Sequence, residues 1–198
     1  MEILFNNYEY VAKLINIRDN FKTYYAMGAF GAPANDKMKK RYKVPKAPEG
    51  SFLFDCSGFA YKALAWGWNG DPTKVYGGAI YKKPGFEKLE TNNIISICTD
   101  VSEDFTKISA GEVLYMKGHV GVYIGGGKAI ECTSAGTNNV QISEVLNITN
   151  GTIGLPLQRK WLRYGKLPFI LYNDYYALCC KNKRDSGECP GCKIKITL

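Results

Sequence analysis

Histidine is the scarcest reagent in this chain: 198 residues contain one, His119. No histidine pair follows the cysteines, which excludes a Cys2His2-type zinc finger. No aromatic RNA-binding consensus and no heptad zipper is present either. Apolar runs fall short of a membrane span. The opening Met1-Glu2-Ile3-Leu4-Phe5 has neither the basic start nor the apolar stretch of a signal peptide. The expectation is therefore a protein with no membrane span; if it works outside a cell, another agent releases it or a leader has been lost. No internal repeat and no low-complexity segment interrupts the chain.

What is present describes an ordinary folded domain with an appendage. Hydrophobic content is 45% and charged content 22%, enough for a real core. The net charge of +8 suits an anionic partner: nucleic acid, a membrane surface or a bacterial wall polymer. A plainly solvated basic surface explains it equally well. The densest basic run, Lys37 to Lys46, contains Pro45 and reads as a surface loop.

Residues 8 to 22 carry helical spacing, with Val11, Leu14 and Ile15 on one face. A second helix begins at Cys56 and ends near Gly67. Residues 68 to 90 are rich in glycine and proline and read as loop. A strand series follows: 111–117, 119–124, 128–133 and 140–143, with Gly125-Gly126-Gly127 as a tight turn and 167–172 as an edge strand. Helices followed by a strand meander predict an α+β domain, N-terminal helices packed on a central antiparallel sheet, over residues 1–173. Residues 174–198 form a separate cysteine-rich basic tail.

The chemistry concentrates at Phe54-Asp55-Cys56-Ser57-Gly58-Phe59, where an extended run gives way to a helix. Asp55 is a good N-cap, and Cys56 at the first helical position has its thiolate favoured by the helix dipole. A thiolate nucleophile needs a base, and the base needs a group to orient it. If the 125–127 hairpin pairs residues i and 252 − i, His119 faces Thr133 and Glu131 is its diagonal neighbour; a two-residue slip puts Glu131 directly opposite. Either way a carboxylate reaches one imidazole nitrogen and leaves the other for Cys56. Taken singly, each residue has a plainer reading: a buried cysteine, a packed histidine, a solvated glutamate.

Asp55-Cys56-Ser57-Gly58-Phe59, then Gly118-His119-Val120-Gly121-Val122-Tyr123-Ile124-Gly125, then a polar residue at 131, resembles the NlpC-type cell-wall cysteine peptidases, papain-like in core topology. Ile108-Ser109-Ala110-Gly111-Glu112-Val113-Leu114 resembles the turn and strand that enter the histidine segment. The resemblance runs from about residue 8 to about 172. It implies hydrolysis of peptide bonds in peptidoglycan stems, typically between D-glutamate and a diamino acid. Cys56 would be the nucleophile, His119 the base and then the acid, and Glu131 the third member. The backbone N–H of Cys56 would help hold the oxyanion. Tyr25 matches a tyrosine lining the substrate cleft, and Asp55 and Ser57 may contact substrate besides capping the helix. The family more often has His, Asn or Gln as the third residue; related cysteine–histidine amidases use glutamate. Amidase cleavage between the lactyl group and the stem is thus the enzymatic rival. A catalytically dead wall-binding or structural phage module is the non-enzymatic one, and a nucleic-acid binder using the basic tail is a third. Catalysis of this kind requires no cofactor.

The tail holds Cys179, Cys180, Cys189 and Cys192, four of seven cysteines. Cys189-Pro190-Gly191-Cys192 is a zinc-knuckle half, but adjacent Cys179 and Cys180 make a poor second half. A structural zinc, two disulfides, and a disordered end with reactive thiols are the readings that remain.

Overall fold

The computed structural model describes residues 2–173; the four tail cysteines, and with them the choice between zinc and disulfides, lie outside the described residues. Elements run in the order β1 (Phe5–Asn6), α1 (Asn7–Asn20), β2 (Thr23–Tyr25), β3 (Phe30–Pro33), α2 (Asp36–Tyr42), β4 (Phe52–Phe54), a π-helical segment (Gly58–Lys62) leading into α3 (Ala63–Ala65), α4 (Thr91–Ile97), β5 (Thr99–Ser102), β6 (Val113–Met116), β7 (His119–Gly125), β8 (Lys128–Cys132), β9 (Val140–Val145), α5 (Leu146–Thr149), β10 (Gln158–Arg159), β11 (Arg163–Lys166) and β12 (Ile170–Leu171). The fold is α+β.

A seven-stranded sheet in the order β10-β9-β8-β7-β6-β11-β5 forms the centre. Its pairings are antiparallel except β9 with β10. The meander β6 to β9 falls where the alternating pattern predicts it. The closing segment does not: β12 leaves the main sheet and pairs in parallel with β1, while β11 and β5 form the edge. Pro168 precedes that exit. The basic run is also corrected. Lys37, Lys39, Lys40 and Arg41 belong to α2, which Asn35 caps through Met38 N at 3.0 Å and Lys43 ends in a left-handed conformation.

The helix that begins at Cys56 is buried on every side and mostly apolar: Phe59, Ala60, Tyr61, Ala63, Leu64, Ala65 and Trp66 are all buried. It is the central core element, touching the sheet at β7 and β8 on one side and β3 on the other. Ala63 N–H reaches back to Gly58 O, the wide turn of a π-bulge. The Tyr10 hydroxyl of α1 donates to Ala60 O and ties the first helix to this one. Val120, Val122, Ile130 and Cys132 meet it from the sheet. Leu114, Tyr123, Ala129, Val145, Trp161 and Tyr164 fill the opposite face. This is the strand alternation expected of a sheet buried on both sides.

Gly58 has a steric assignment. A Cβ there would overlap the carbonyl oxygen of Ala29 and press on Asp55. Gly58→Ala is expected to cost about 3 kcal/mol or more, because a backbone carbonyl cannot step aside. Thermal unfolding checks it: an unchanged midpoint would mean that the close approach of the 26–29 turn is wrong.

One carboxylate organises the loop between α5 and β10. Glu144, buried on β9, accepts from the backbone N–H groups of Ile153 (3.0 Å), Gly154 (3.0 Å) and Leu155 (3.3 Å), from Gln158 Nε2 (3.0 Å) and from the Thr149 hydroxyl at 2.5 Å. The Thr149 hydrogen bond, with the others behind it, holds its pKa down to about 2. That collar delivers the chain to Arg159.

Candidate active site

A three-stranded sheet, β2-β4-β3, positions Cys56. Buried Phe52, Leu53 and Phe54 pair with Thr23 to Tyr25 on one side and with β3 on the other, so the chain turns into the helix at a fixed point. Asp55 caps as its position predicts: Oδ1 accepts from Gly58 N and from the Ser57 hydroxyl (2.9 Å). Oδ2 reaches beyond its own helix to Gly28 N at 2.8 Å. Gly28 has φ 80°, a conformation glycine adopts without strain. Asp55 thus staples the 26–29 turn, and Tyr25 before it, to the head of the helix that carries Cys56.

Asp55 and Ser57 have a framing role in this geometry. Ser57 is 0% exposed and its hydroxyl is turned to Asp55. Tyr25 is half-buried and pairs in register with Phe54, two residues before Cys56. Burial, followed by the negative charges of Cys56 and Asp55, pushes its hydroxyl up to about 12, so it remains a neutral hydrogen-bonding group beside the nucleophile.

Cys56 and His119, 63 residues apart in sequence, are brought close enough for each to shift the other's proton affinity. Burial works against a charged sulfur, but hydrogen bonds from His119 and Thr91 outweigh it, and the thiol is held below its ordinary value of 9. Burial likewise works against a charged imidazole, but Cys56 and Glu131 outweigh it and raise His119 to about 9. Opposed shifts in two neighbouring groups favour charge separation between sulfur and imidazole.

Glu131 completes the relay. Its Oε2 lies 2.5 Å from His119 Nε2, which leaves Nδ1 for the sulfur. The sheet supplies the register: Val122 faces Ile130 and Tyr123 faces Ala129, both pairs summing to 252, before a bulge at the glycine turn. Glu131 is therefore the diagonal neighbour of His119. The carboxylate is 0% exposed, and burial alone would favour its neutral form. The contacts with His119, the Ser143 hydroxyl and Arg159 reverse this and hold it ionised. Arg159 lies alongside, Nη2 at 3.2 Å from Glu131 Oε2, and also donates to Thr133 Oγ1 at 3.2 Å.

Four contributors had no motif to mark them. Ser143 was within reach of register arithmetic: Glu131 faces Gln141 and Ala129 faces Ser143, which makes Ser143 the diagonal neighbour of Glu131. Trp161 stacks on the imidazole, ring centroids 5.7 Å apart and planes 19° apart. Gly121 makes room, since a Cβ there would stand 3.0 Å from the indole. Trp161, Arg159 and Thr91 all arrive from beyond long loops, where no local pattern announces them. Among the described residues there is no group of three or more His, Cys, Asp or Glu arranged to hold a metal. No helix there is long and apolar enough to cross a membrane.

No family model matches the sequence, and no curated protein does. Solved structures do. NlpC1 from Trichomonas vaginalis is 14% identical with a TM-score of 0.43, over 80% of this chain and 44% of that one. The P60 domain of an M. avium subspecies paratuberculosis antigen is 15% identical with a TM-score of 0.45, over 81% of this chain and 94% of that one. The peptidoglycan hydrolase RipB from Mycobacterium tuberculosis is 17% identical with a TM-score of 0.44, over 82% of this chain and 66% of that one. The chain spans less than half the length of NlpC1. Over some four fifths of its length this α+β chain is similar to solved NlpC and P60 domains, and at this level of similarity the chemistry of its site is read from its own atoms.

Proposed function

We propose that this protein is a cysteine hydrolase that cuts peptide bonds in bacterial peptidoglycan stems, of the D-glutamyl–diamino acid type. The observation that carries the reading is the continuous relay Cys56–His119–Glu131, with an ionised carboxylate behind the imidazole and the thiol held below its ordinary pKa. The thiolate attacks the scissile carbonyl. The backbone N–H of Cys56, at the head of the helix, is placed to stabilise the oxyanion. The His119 imidazolium gives its proton to the leaving amine, and neutral His119 then takes one from the water that opens the thioester. Glu131 fixes the ring and stabilises its charged form. These steps use no cofactor.

The substrate class rests on the order of the Asp-Cys-Ser-Gly and Gly-His-Val-Gly motifs and on a charge of +8, which suits an anionic wall. Action at the wall, as a phage or prophage lysin or a tail-borne enzyme, belongs to the same proposal, as does zinc or disulfide bonding among the tail cysteines.

Mass spectrometry of material released from purified sacculi tests the bond. Stem fragments with a new amino terminus on the diamino acid are expected. Glycan strands stripped of whole stems would make the protein an amidase with the same three residues. Intact sacculi at every pH between 5 and 9, with Cys56 inert to iodoacetamide, would leave a non-catalytic module.

A further inference from the structure

The geometry points to Thr91 as a fourth member of the site: its hydroxyl donates to the Cys56 sulfur and holds it in the reactive, ionised form. The inference rests on the hydrolase reading and adds to it a residue just past the loop-rich stretch of residues 68 to 90.

Thr91 Oγ1 lies 3.3 Å from Cys56 Sγ, inside hydrogen-bond range for sulfur. Either atom could donate to the other if the sulfur were protonated. Paired with imidazolium the sulfur has no proton, so the hydroxyl is the donor. A donor fixed on a buried anion favours the anion.

What distinguishes this contact from a chance approach is how Thr91 is held. It is the first residue of α4, and each neighbour is tied to a different side of the catalytic groups. Glu90, before it, lies 3.9 Å from the ammonium of Lys62, which is buried on the helix that carries Cys56. Asn92, after it, accepts through Oδ1 from Gly118 N at 3.1 Å and from the Tyr115 hydroxyl at 3.2 Å. Gly118 is the residue immediately before His119. Glu90-Thr91-Asn92 is therefore a short strap from the nucleophile's helix to the base's hairpin, with Thr91 at mid-span over the sulfur. Cys56 is 4% exposed, so its hydrogen-bonding environment is set by these neighbours rather than by water.

The experiment reads the sulfur directly. The rate at which iodoacetamide alkylates Cys56 is followed against pH, with the Cys56 peptide quantified by mass spectrometry, in the full-length wild type, Thr91→Val, Thr91→Ala and Thr91→Ser. Val and Ala are expected to slow alkylation about tenfold at neutral pH, the scale of one hydrogen bond to a charged group, and to move the midpoint upward. Ser is expected to restore the wild-type curve. Curves for Val and Ala that superimpose on wild type would overturn the proposal. So would equal changes in Val, Ala and Ser, since these would report lost methyl packing. Sacculus digestion is measured separately. A wild type that digests nothing but shows the Thr91-dependent curve defeats the hydrolase reading and leaves Thr91 its role. A wild type that digests sacculi with a Thr91-independent curve does the reverse.

Discussion

Cys56→Ala is expected to leave sacculi intact, with release of fragments reduced by at least about a thousandfold. The substitution removes the only atom in the relay that can form a covalent intermediate. It disturbs packing little, because alanine is smaller than cysteine and only the sulfur, whose hydrogen-bond partner is Thr91, is removed. The variant should therefore fold and still bind wall material. Comparable digestion by wild type and variant would sink the peptidase reading at its root. The same variant has a quieter signature. Cys56 is one of the groups that raise the His119 pKa to about 9. Without it the imidazole should titrate at lower pH. His119 is the sole histidine, so its ring protons give one unambiguous NMR titration to follow.

Glu131→Gln carries the second large effect, a fall in turnover of about a thousandfold or more with the fold retained. An amide can still meet the imidazole, but it does not stabilise a positive ring. His119 loses both a hydrogen bond to an anion and its Coulomb partner, and the thiolate loses the imidazolium that supports it. In the wild type the alkaline limb of the activity profile should fall near pH 9, where His119 gives up its proton. In the variant that limb should move to lower pH; an unmoved limb would detach Glu131 from the mechanism.

Stability follows the same groups with a definite sign. His119 has its folded pKa at about 9, above the ordinary 6.5, so its contribution is complete below about pH 6.5 and is lost as pH rises through about 9. Glu131 is depressed below its ordinary 4.5, so its contribution is present above about pH 4.5 and is lost on acidification. Cys56 is depressed below 9, contributes above about pH 9, and loses that contribution as pH falls through its folded value, which partly offsets the alkaline loss from His119. The Glu131–His119 contact should therefore stabilise most between about pH 4.5 and 6.5, and Glu131→Gln should flatten that region of a pH–melting curve.

The cap at Cys56 and the His119–Glu131 contact were legible in the sequence because each is governed by a local rule. An aspartate before a cysteine at a strand–helix junction is a capping signal, and Asp55 caps. A glycine turn fixes a register, and the register puts Glu131 diagonal to His119. What local rules do not carry is anything that arrives through a loop. The strand at 167–172 was expected on the sheet edge, but two-residue pairing with β1 wins there, because neither short segment has alternation enough to specify a partner. Arg159 sits on a two-residue strand after a long irregular segment, and Thr91 follows more than twenty residues without helix or strand. Sequence spacing gives no means of predicting that either comes within 3.3 Å of a catalytic group. Asp55 builds the frame at this junction as the capping rule expects, with Ser57 turned to it.

The collar around Glu144 bears on how the fold should behave after an acid excursion. Its carboxylate keeps its charge down to about pH 2, and its depressed pKa means that the tether is present above about pH 4.5 and lets go only as pH falls through about 2. At about pH 3 exposed carboxylates of ordinary pKa are mostly neutral. The segment that presents Arg159 is nonetheless still moored. Brief exposure to that pH should therefore leave this segment in place, with the native melting curve returning on neutralisation.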